Sequence, residues 1–247
     1  MAKTYIFGIH AIDSALRNDA GNLGAIWMEK RARNERLKDL VQAIEAQGLR
    51  IMAADQQQLD KLAGSNKHQG VVAEYHSLRS YDENDLYDLL DALTEPAFLL
   101  VLDGVTDPHN LGACLRSADG VGVHAVIAPK DNAASITPTV RKVASGAAET
   151  VPFIPVTNLA RTLEQLKQRG IWLTGTSDKA KKTLYQADLK GPMALVMGAE
   201  GSGIRRLTEE SCDFLISIPM YGQVSSLNVS VATGVCLYEA LRQRSLT

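Results

Sequence analysis

Residues 98–116 read FLLVLDGVTDPHNLGACLR, and this stretch decides the fold class. Phe98–Leu102 is an apolar run without alternation, which predicts a strand that is covered on both faces. Gly104 lies in the loop that follows. Asn110 favours the N-cap of a helix that begins at Leu111. The stretch therefore predicts a strand, a glycine-containing loop and a helix in succession.

The same succession continues to the end of the chain. Further strands are predicted at 125–128, 151–156, 171–174, 194–197 and 214–218, and helices at 158–168 and 227–244. Alternating strands and helices are typical of an α/β fold with a mainly parallel sheet. Ligands of such sheets bind beyond the carboxyl ends of the strands. We therefore expect the functional residues on the loops that follow the strands.

Residues 1–76 are predicted to form a smaller α/β unit. Its strands are expected at 5–7, 25–28 and 71–75, and its helices at 9–17 and 35–47. Residues 79–97 contain one basic and six acidic residues, and the leucines around Leu86 indicate a short helix among them. The predicted organisation is an N-terminal domain at 1–76, an acidic linker at 77–97 and a second domain at 98–247.

Composition limits the class of protein. Hydrophobic residues make up 45% of the 247 positions and charged residues 22%, which is typical of a soluble globular protein. No apolar window is long enough to span a bilayer, and the first residues do not form a signal peptide. We therefore expect a cytoplasmic protein without a membrane partner. Cys114, Cys212 and Cys236 have no paired spacing, so buried free thiols are expected rather than a disulfide framework or a metal site.

The net charge of −2 hides an uneven distribution along the chain. Because the acidic residues concentrate in 79–97, both flanking parts are mildly basic, and an RNA partner stays open. Five basic residues cluster in the N-terminal unit: Lys30, Arg31, Arg33, Arg36 and Lys38. They indicate either an RNA contact or a solvated helix face, since Glu29 and Glu35 lie in the same stretch.

A glycine-rich block, Gly198–Gly203, follows the strand predicted at 194–197. Its order, G-x-x-G-x-G, differs from the dinucleotide order G-x-G-x-x-G, and no Lys-Ser/Thr pair follows it. This disfavours a nucleotide-dependent oxidoreductase. The block is either a plain tight turn or a loop whose backbone amides approach an uncharged or cationic ligand. Glu200 favours the second interpretation, because a turn does not require it.

Arg116 lies in the first helical turns after Asn110. Its neighbours Cys114, Leu115 and Ala118 indicate partial burial, and a half-buried arginine near a helix N-terminus suits a phosphate. The alternatives are a solvated surface arginine and an asparagine that only caps its helix. His109, in the same block, is a candidate acid or base.

A third block, Ser225–Ala232, precedes the last helix. Ser225, Ser226 and Asn228 supply three polar side chains where capping needs one, so they are either caps or the lining of a site. The helix beyond is apolar on several sides. It is either part of the core or an interface with a second copy of the chain.

The three blocks, in this order and spacing, resemble the motifs of the SpoU (TrmH-like) family of RNA ribose 2′-O-methyltransferases. Asn110 to Arg116 is similar to the first motif, 197–201 to the second, and 218–220 with 225–230 to the third. The likeness covers 98–247, and residues 1–76 resemble the L30e-like RNA-binding domain of many members. The resemblance implies a deep trefoil knot in the C-terminal domain, which periodicity alone does not indicate.

The resemblance also implies S-adenosylmethionine as methyl donor, no metal, and a homodimer. Backbone groups of Gly198, Ile218 and Leu227 would hold the adenosine part of the donor. The implied catalytic group is Asn110, Arg116, Glu200, Ser226 and Asn228.

The combination of domains is similar to family members that methylate a guanosine ribose in 23S rRNA, at the P loop of the peptidyl-transferase centre. The expected partner is therefore 23S rRNA or a ribosome assembly intermediate, and not DNA. A tRNA guanosine is the alternative substrate. A rival of another class is a non-catalytic RNA-binding protein of the same fold.

Overall fold

The computed structural model describes residues 4–29, 35–75 and 81–245. The strands are β1 (Thr4–Phe7), β2 (Leu23–Glu29), β3 (Ile51–Ala54), β4 (Val71–Tyr75), β5 (Phe98–Asp103), β6 (Ala125–Pro129), β7 (Phe153–Val156), β8 (Trp172–Thr176), β9 (Lys182–Thr183), β10 (Met193–Gly198) and β11 (Phe214–Ser217). The helices are α1 (Ile9–Asp19), α2 (Glu35–Ala46), α3 (Gln56–Ala63), α4 (Glu83–Ala92), α5 (Pro108–Gly120), α6 (Pro138–Ala144), α7 (Ala147–Thr150), α8 (Leu159–Gln168), α9 (Arg206–Ser211) and α10 (Val229–Arg244).

The chain divides into two compact units. The first comprises the residues up to 80 together with 136–150, and the second comprises 81–135 and 151–247. The segment 136–150 interrupts the second unit between β6 and β7, which the sequence did not indicate. None of the helices in the described ranges is long and apolar enough to cross a membrane.

The first unit contains a sheet with the order β1-β4-β2-β3. β4 pairs antiparallel with β1 and β2, and β3 runs parallel to β2. Each face of the sheet carries its own apolar cluster, one around Ile6 and Ile26 and the other around Phe7 and Leu59. The sequence predicted β1, β2, β4, α1 and α2 but not β3 and α3. β3 exposes two of its four residues, so its apolar signal is weak.

The segment with α6 and α7 contains a buried ion pair and contacts Tyr75 of β4 in the first unit. Arg141 donates to Glu149 over 2.5 Å, and the Glu149 side chain is fully buried. The Arg141 guanidinium also lies over the ring of Tyr75, 5.3 Å from its centroid. Burial raises the pKa of the Glu149 carboxyl, while Arg141 opposes this shift. Removing one partner of such a pair is costly because the other charge stays buried.

The second unit is built on a parallel sheet with the order β7-β6-β5-β10-β8-β11-β9. All its strand pairings are parallel, which confirms the α/β fold with a mainly parallel sheet. Its core is apolar on the inner strands, with Leu99, Ile127 and Val196 fully buried. α4 contributes Leu86 to the same core. Residues 81–97, interpreted from sequence as part of a linker, therefore belong to the second unit.

Lys30, Arg31 and Arg33 lie outside the described residues, as do residues 76–80, which include the start of the linker predicted at 77–97. Arg36 and Lys38 are exposed on α2.

Cys114 and Cys236 are buried, while Cys212 is half-buried. Burial raises the thiol pKa of Cys114 to about 11 and that of Cys236 to about 12.

Candidate active site

The loop after β10 closes tightly upon itself. The Ala199 N–H donates to the carbonyl oxygen of Gly203 over 3.1 Å, and the Gly203 N–H donates back to Ala199 over 2.9 Å. A Cβ added at Gly198 would overlap the backbone of Gly203 and Ile204. Only glycine therefore fits at Gly198, and the loop presents Glu200 near its tip.

Three side chains from the three sequence blocks meet beside this loop. The Asn228 amide donates to the Asn110 side-chain oxygen over 3.0 Å. The Asn110 amide donates to the Glu200 carboxylate over 3.3 Å, and the Asn228 amide reaches the same oxygen at 3.5 Å. Glu200 thus orients both amides. The structure brings together residues that lie 90 and 118 positions apart in sequence.

Helix packing places Asn110 beside Asn228. α5 and α10 pack against each other, and the buried Cys114 thiol contacts the Thr233 hydroxyl at 3.6 Å. Near the same contact, a Cβ at Gly234 would lie 3.5 Å from the Ser117 hydroxyl. Because small residues allow the two helices to approach closely, their N-terminal ends converge.

The predicted N-cap of α5 is wrong. The helix begins at Pro108, and the Asp107 side chain caps it by accepting from the His109 N–H over 2.9 Å. A proline in the first helical turn is favourable because its missing N–H would have no partner there. Asn110 consequently lies inside the first turn, buried, with its amide directed to Glu200 and Asn228. Asn228, by contrast, does cap α10, accepting from the Ser230 N–H over 2.9 Å.

Arg116 is exposed, so the predicted partial burial is also wrong. No hydrogen bond or ion pair holds its guanidinium within the described part of the chain. Ser226 is exposed in the loop before α10, and His109 is exposed on the first turn of α5. These three side chains are therefore available to a ligand that approaches from solvent.

A cleft of about 420 Å³ lies at the carboxyl ends of the strands. Its walls are the loops after β8, β10 and β11, and its lining includes Gly198, Ile218 and Leu227 together with Glu200 and Ser226. The volume falls within the range of about 300–1,000 Å³ that is usual for small-molecule sites. Asn110, Arg116 and Asn228 are not part of the lining.

The charged lining of the cleft is mainly acidic. The lining includes three carboxylates, those of Asp178, Glu200 and Glu209, and one ammonium group, that of Lys179. Such a lining favours a ligand with a positive charge. Within the described residues no cluster of His, Cys, Asp and Glu side chains is arranged to hold a metal ion.

Sequence reasoning missed the wall formed by Thr176–Lys179. The strand before it was predicted to end at Thr174. Polar residues directly after a strand end indicate a ligand site, so the residues of this wall could have been identified from the sequence. It also missed Asp103 and Arg205, which form an ion pair at the base of the glycine loop. Their signal was weaker, because a charged residue at the end of a strand is usually solvated.

Comparison with known proteins agrees with this arrangement of motifs. The model of the SpoU rRNA Methylase family matches residues 97–238. This chain belongs to the SpoU family. The model named RNA 2′-O ribose methyltransferase substrate binding matches residues 5–81. The family assignment made from the three motifs is thereby confirmed.

Relatives within the SpoU family match nearly the whole chain. The 23S rRNA (guanosine-2′-O-)-methyltransferase RlmB of Ralstonia nicotianae is 59% identical, over 98% of this chain and 96% of its own. A crystal structure of an RNA 2′-O ribose methyltransferase is 29% identical, with a TM-score of 0.81, covering 98% of this chain and 89% of that one. The SpoU methyltransferase AviRb from Streptomyces viridochromogenes, solved with AdoMet, has a TM-score of 0.79 at 24% identity, covering 99% and 92% of the two chains.

Proposed function

We propose that this protein transfers a methyl group from S-adenosylmethionine to the 2′-hydroxyl of a guanosine ribose in 23S rRNA. The observation that carries the proposal is the meeting of Asn110, Glu200 and Asn228 beside a cleft of suitable size. The guanosine and the 23S rRNA are supported by the name of the Ralstonia relative, which aligns with both units.

The cleft suits the methyl donor. S-adenosylmethionine supplies an electrophilic methyl group on a positively charged sulfur, and the acidic lining favours that charge. Gly198, Ile218 and Leu227 line the cleft and would hold the adenosine part through backbone groups. No metal is needed, because the donor already carries its leaving group.

Arg116 stabilises the negative charge that develops on the ribose oxygen, and it binds the adjacent phosphate. An arginine is a poor base at neutral pH, since its pKa is about 12.5–13.8. We therefore assign the proton of the 2′-hydroxyl to a phosphate oxygen of the RNA. Ser226 hydrogen-bonds near the target ribose, while Asn110, Asn228 and Glu200 orient the ribose and Arg116.

The decisive variant is Arg116→Ala. We expect the rate of methyl transfer to fall by a factor of about 10²–10³, because charge stabilisation in the transition state is lost. The dissociation constant for S-adenosylmethionine should stay unchanged, because Arg116 is outside the cleft lining. Both are measured with labelled donor and 23S rRNA fragments, and Arg206→Ala, another exposed arginine, is the control. A normal rate in Arg116→Ala would exclude this role, and His109 would be tested next.

We further propose that the first unit is an L30e-like RNA-binding domain, that the enzyme is cytoplasmic and that it works as a homodimer. The dimer is supported by two exposed apolar side chains of α10, those of Val231 and Tyr238, which are 51% and 55% exposed. Apolar residues exposed on one helix suit a twofold interface. Sedimentation equilibrium tests the oligomeric state.

We also assign a trefoil knot to the second unit, as the family resemblance implies. Two observations support it. β11 lies beyond β8 in the sheet, whereas α10, the next element, packs against β10 and α5. The connecting residues therefore pass back across the cleft, past the loops that follow β8 and β10.

A further inference from the structure

The second unit contains a buried carboxylate that the proposed chemistry does not use. Asp103 ends β5 and is fully buried. It accepts a hydrogen bond from the Arg205 backbone N–H at 2.9 Å and another from the Arg205 Nε at 2.6 Å. Burying a carboxylate is unfavourable unless it is paired and hydrogen-bonded, as it is here.

Asp103 controls both ends of the glycine loop. In the sheet it lies opposite Gly198, where the loop begins. Through its bonds to Arg205 it also holds the residue that directly follows the loop, before α9. Asp103 contributes nothing to the cleft lining, so its effect on the site passes through the loop.

The position of Glu200 depends on the contacts of Asp103 with the two ends of the loop. Its carboxylate meets Asn110 and Asn228 at 3.3–3.5 Å, and Gly198 to Ile204 form one wall of the cleft. If the loop shifted by a fraction of an ångström, both the amide cluster and the donor wall would change. The groups that contact ligands keep their positions only if neighbouring residues hold them through packing and hydrogen bonds.

We propose that Asp103 is a positioning residue of the methyl-transfer site, acting through Arg205 on the loop Gly198–Ile204. This inference rests on the proposed function, because it concerns the same donor cleft. Arg205 is itself 53% exposed in its side chain, so its charge is solvated and the pair is asymmetric. Removing the carboxylate leaves a solvated arginine, whereas removing the arginine leaves a buried charge with one remaining donor.

Because Asp103 is buried and Arg205 is partly solvated, the two single variants of a double-mutant cycle should reduce donor affinity to different extents. Arg205→Met should weaken binding of S-adenosylmethionine by between about tenfold and a hundredfold, because the buried carboxylate loses its charged partner. Asp103→Asn should have a smaller effect, since an asparagine oxygen still accepts from the Arg205 N–H. The double variant should recover to the level of Asp103→Asn, because no buried charge remains.

The experiment measures donor affinity by calorimetry and kcat with the 23S rRNA substrate, on the full chain. Arg206→Met is the matched control, because this neighbouring arginine forms an ion pair with the exposed Glu210. Circular dichroism verifies that each variant is folded at the assay temperature. Recovery in the double variant, with Arg206→Met unchanged, supports the positioning role.

A purely structural role gives a different result. If Asp103→Asn and Arg205→Met lower only the melting temperature, while donor affinity and kcat stay within about twofold of the wild type, the proposal is overturned. Failure of the proposed function is distinguishable, because the unaltered protein would then neither bind S-adenosylmethionine nor methylate RNA.

Discussion

Gly198 shows how one residue type determines the wall of the site. The loop that follows folds back over it, and the space that a side chain would need is filled by the backbone of Gly203 and Ile204. From the glycine pattern the sequence analysis left open a plain tight turn or backbone amides that approach a ligand; the structure shows a loop that closes on itself over Gly198. The sequence could not give the partner atoms, because these depend on how the loop closes.

The variant Gly198→Ala tests whether the loop requires glycine at this position. We expect the loop to open, donor affinity to fall by about tenfold or more, and the melting temperature to drop, because overpacking typically costs about 1–3 kcal/mol. Gly191→Ala is the control, since a Cβ at Gly191 meets nothing within 4 Å. Calorimetry and thermal denaturation measure both effects. Equal donor affinity in the two variants would contradict the account of the loop.

The exposure of Arg116 shows where residue-level reasoning failed. Cys114, Leu115 and Ala118 are buried, and the sequence analysis took them as surroundings of Arg116. In a helix, however, positions two residues apart point to nearly opposite sides. Buried residues at 114 and 118 therefore indicate that Arg116 points outward. Helical periodicity applied to the sequence therefore predicts an exposed Arg116, as the structure shows.

At the scale of elements, the last turns of α10 are fixed by a polar network around Glu239. Arg242 donates to the Glu239 carboxylate over 2.8 Å through two nitrogens, and Gln243 donates to it over 2.8 Å. Gln243 also accepts from the Leu189 N–H over 3.0 Å, which connects the helix to the loop before β10. Hydrogen bonds from Arg242 and Gln243 lower the pKa of Glu239 to about 2.

This lowered pKa predicts a pH dependence of stability. Because the folded-state pKa lies below the ordinary value of 4.5, the contribution of Glu239 is complete above pH 4.5 and is lost as the pH falls toward 2. Glu239→Gln should therefore lower the melting temperature at pH 6, and the difference from the wild type should shrink below pH 4.5. Thermal denaturation across this range measures it, with exposed Glu210→Gln as control. A difference that is constant with pH would contradict the assignment.

Most elements could be predicted from periodicity, and the errors have physical causes. The inner strands of the second unit are continuous apolar runs because both their faces are covered. α5 began a turn too late in the prediction, because Asn110 and Asp107 are both good caps. α6 and α7 were not predicted. Their burial comes from contacts with residues far away in sequence, which local patterns do not contain.

At the scale of the whole molecule, we expect the two units to divide the work. The substrate-binding model matches residues 5–81, most of the first unit, and the methylase model matches residues 97–238, which comprise most of the second unit and the segment 136–150. The sequence left open whether the basic run contacts RNA or forms a solvated helix face. Arg36 and Lys38, its described members, are exposed on α2.

The double variant Arg36→Glu/Lys38→Glu addresses this division. If α2 contacts the phosphate backbone, the KM for 23S rRNA should rise and the salt dependence of binding should become weaker by about two contacts. Donor affinity should not change, because the cleft belongs to the second unit. Lys61→Glu, exposed on α3, is the control in the same unit. Unchanged RNA affinity in the double variant would favour the solvated helix face.

The first unit is assembled from two stretches of chain, and this limits how it can be exchanged between relatives. A chimera that replaced only residues 1–80 would keep Arg141 and Glu149 from one parent and supply the ring at position 75 from the other. Since the buried ion pair depends on its surroundings, such a recombinant should fold poorly. Transferring the first unit between relatives therefore requires moving residues 136–150 together with residues 1–80.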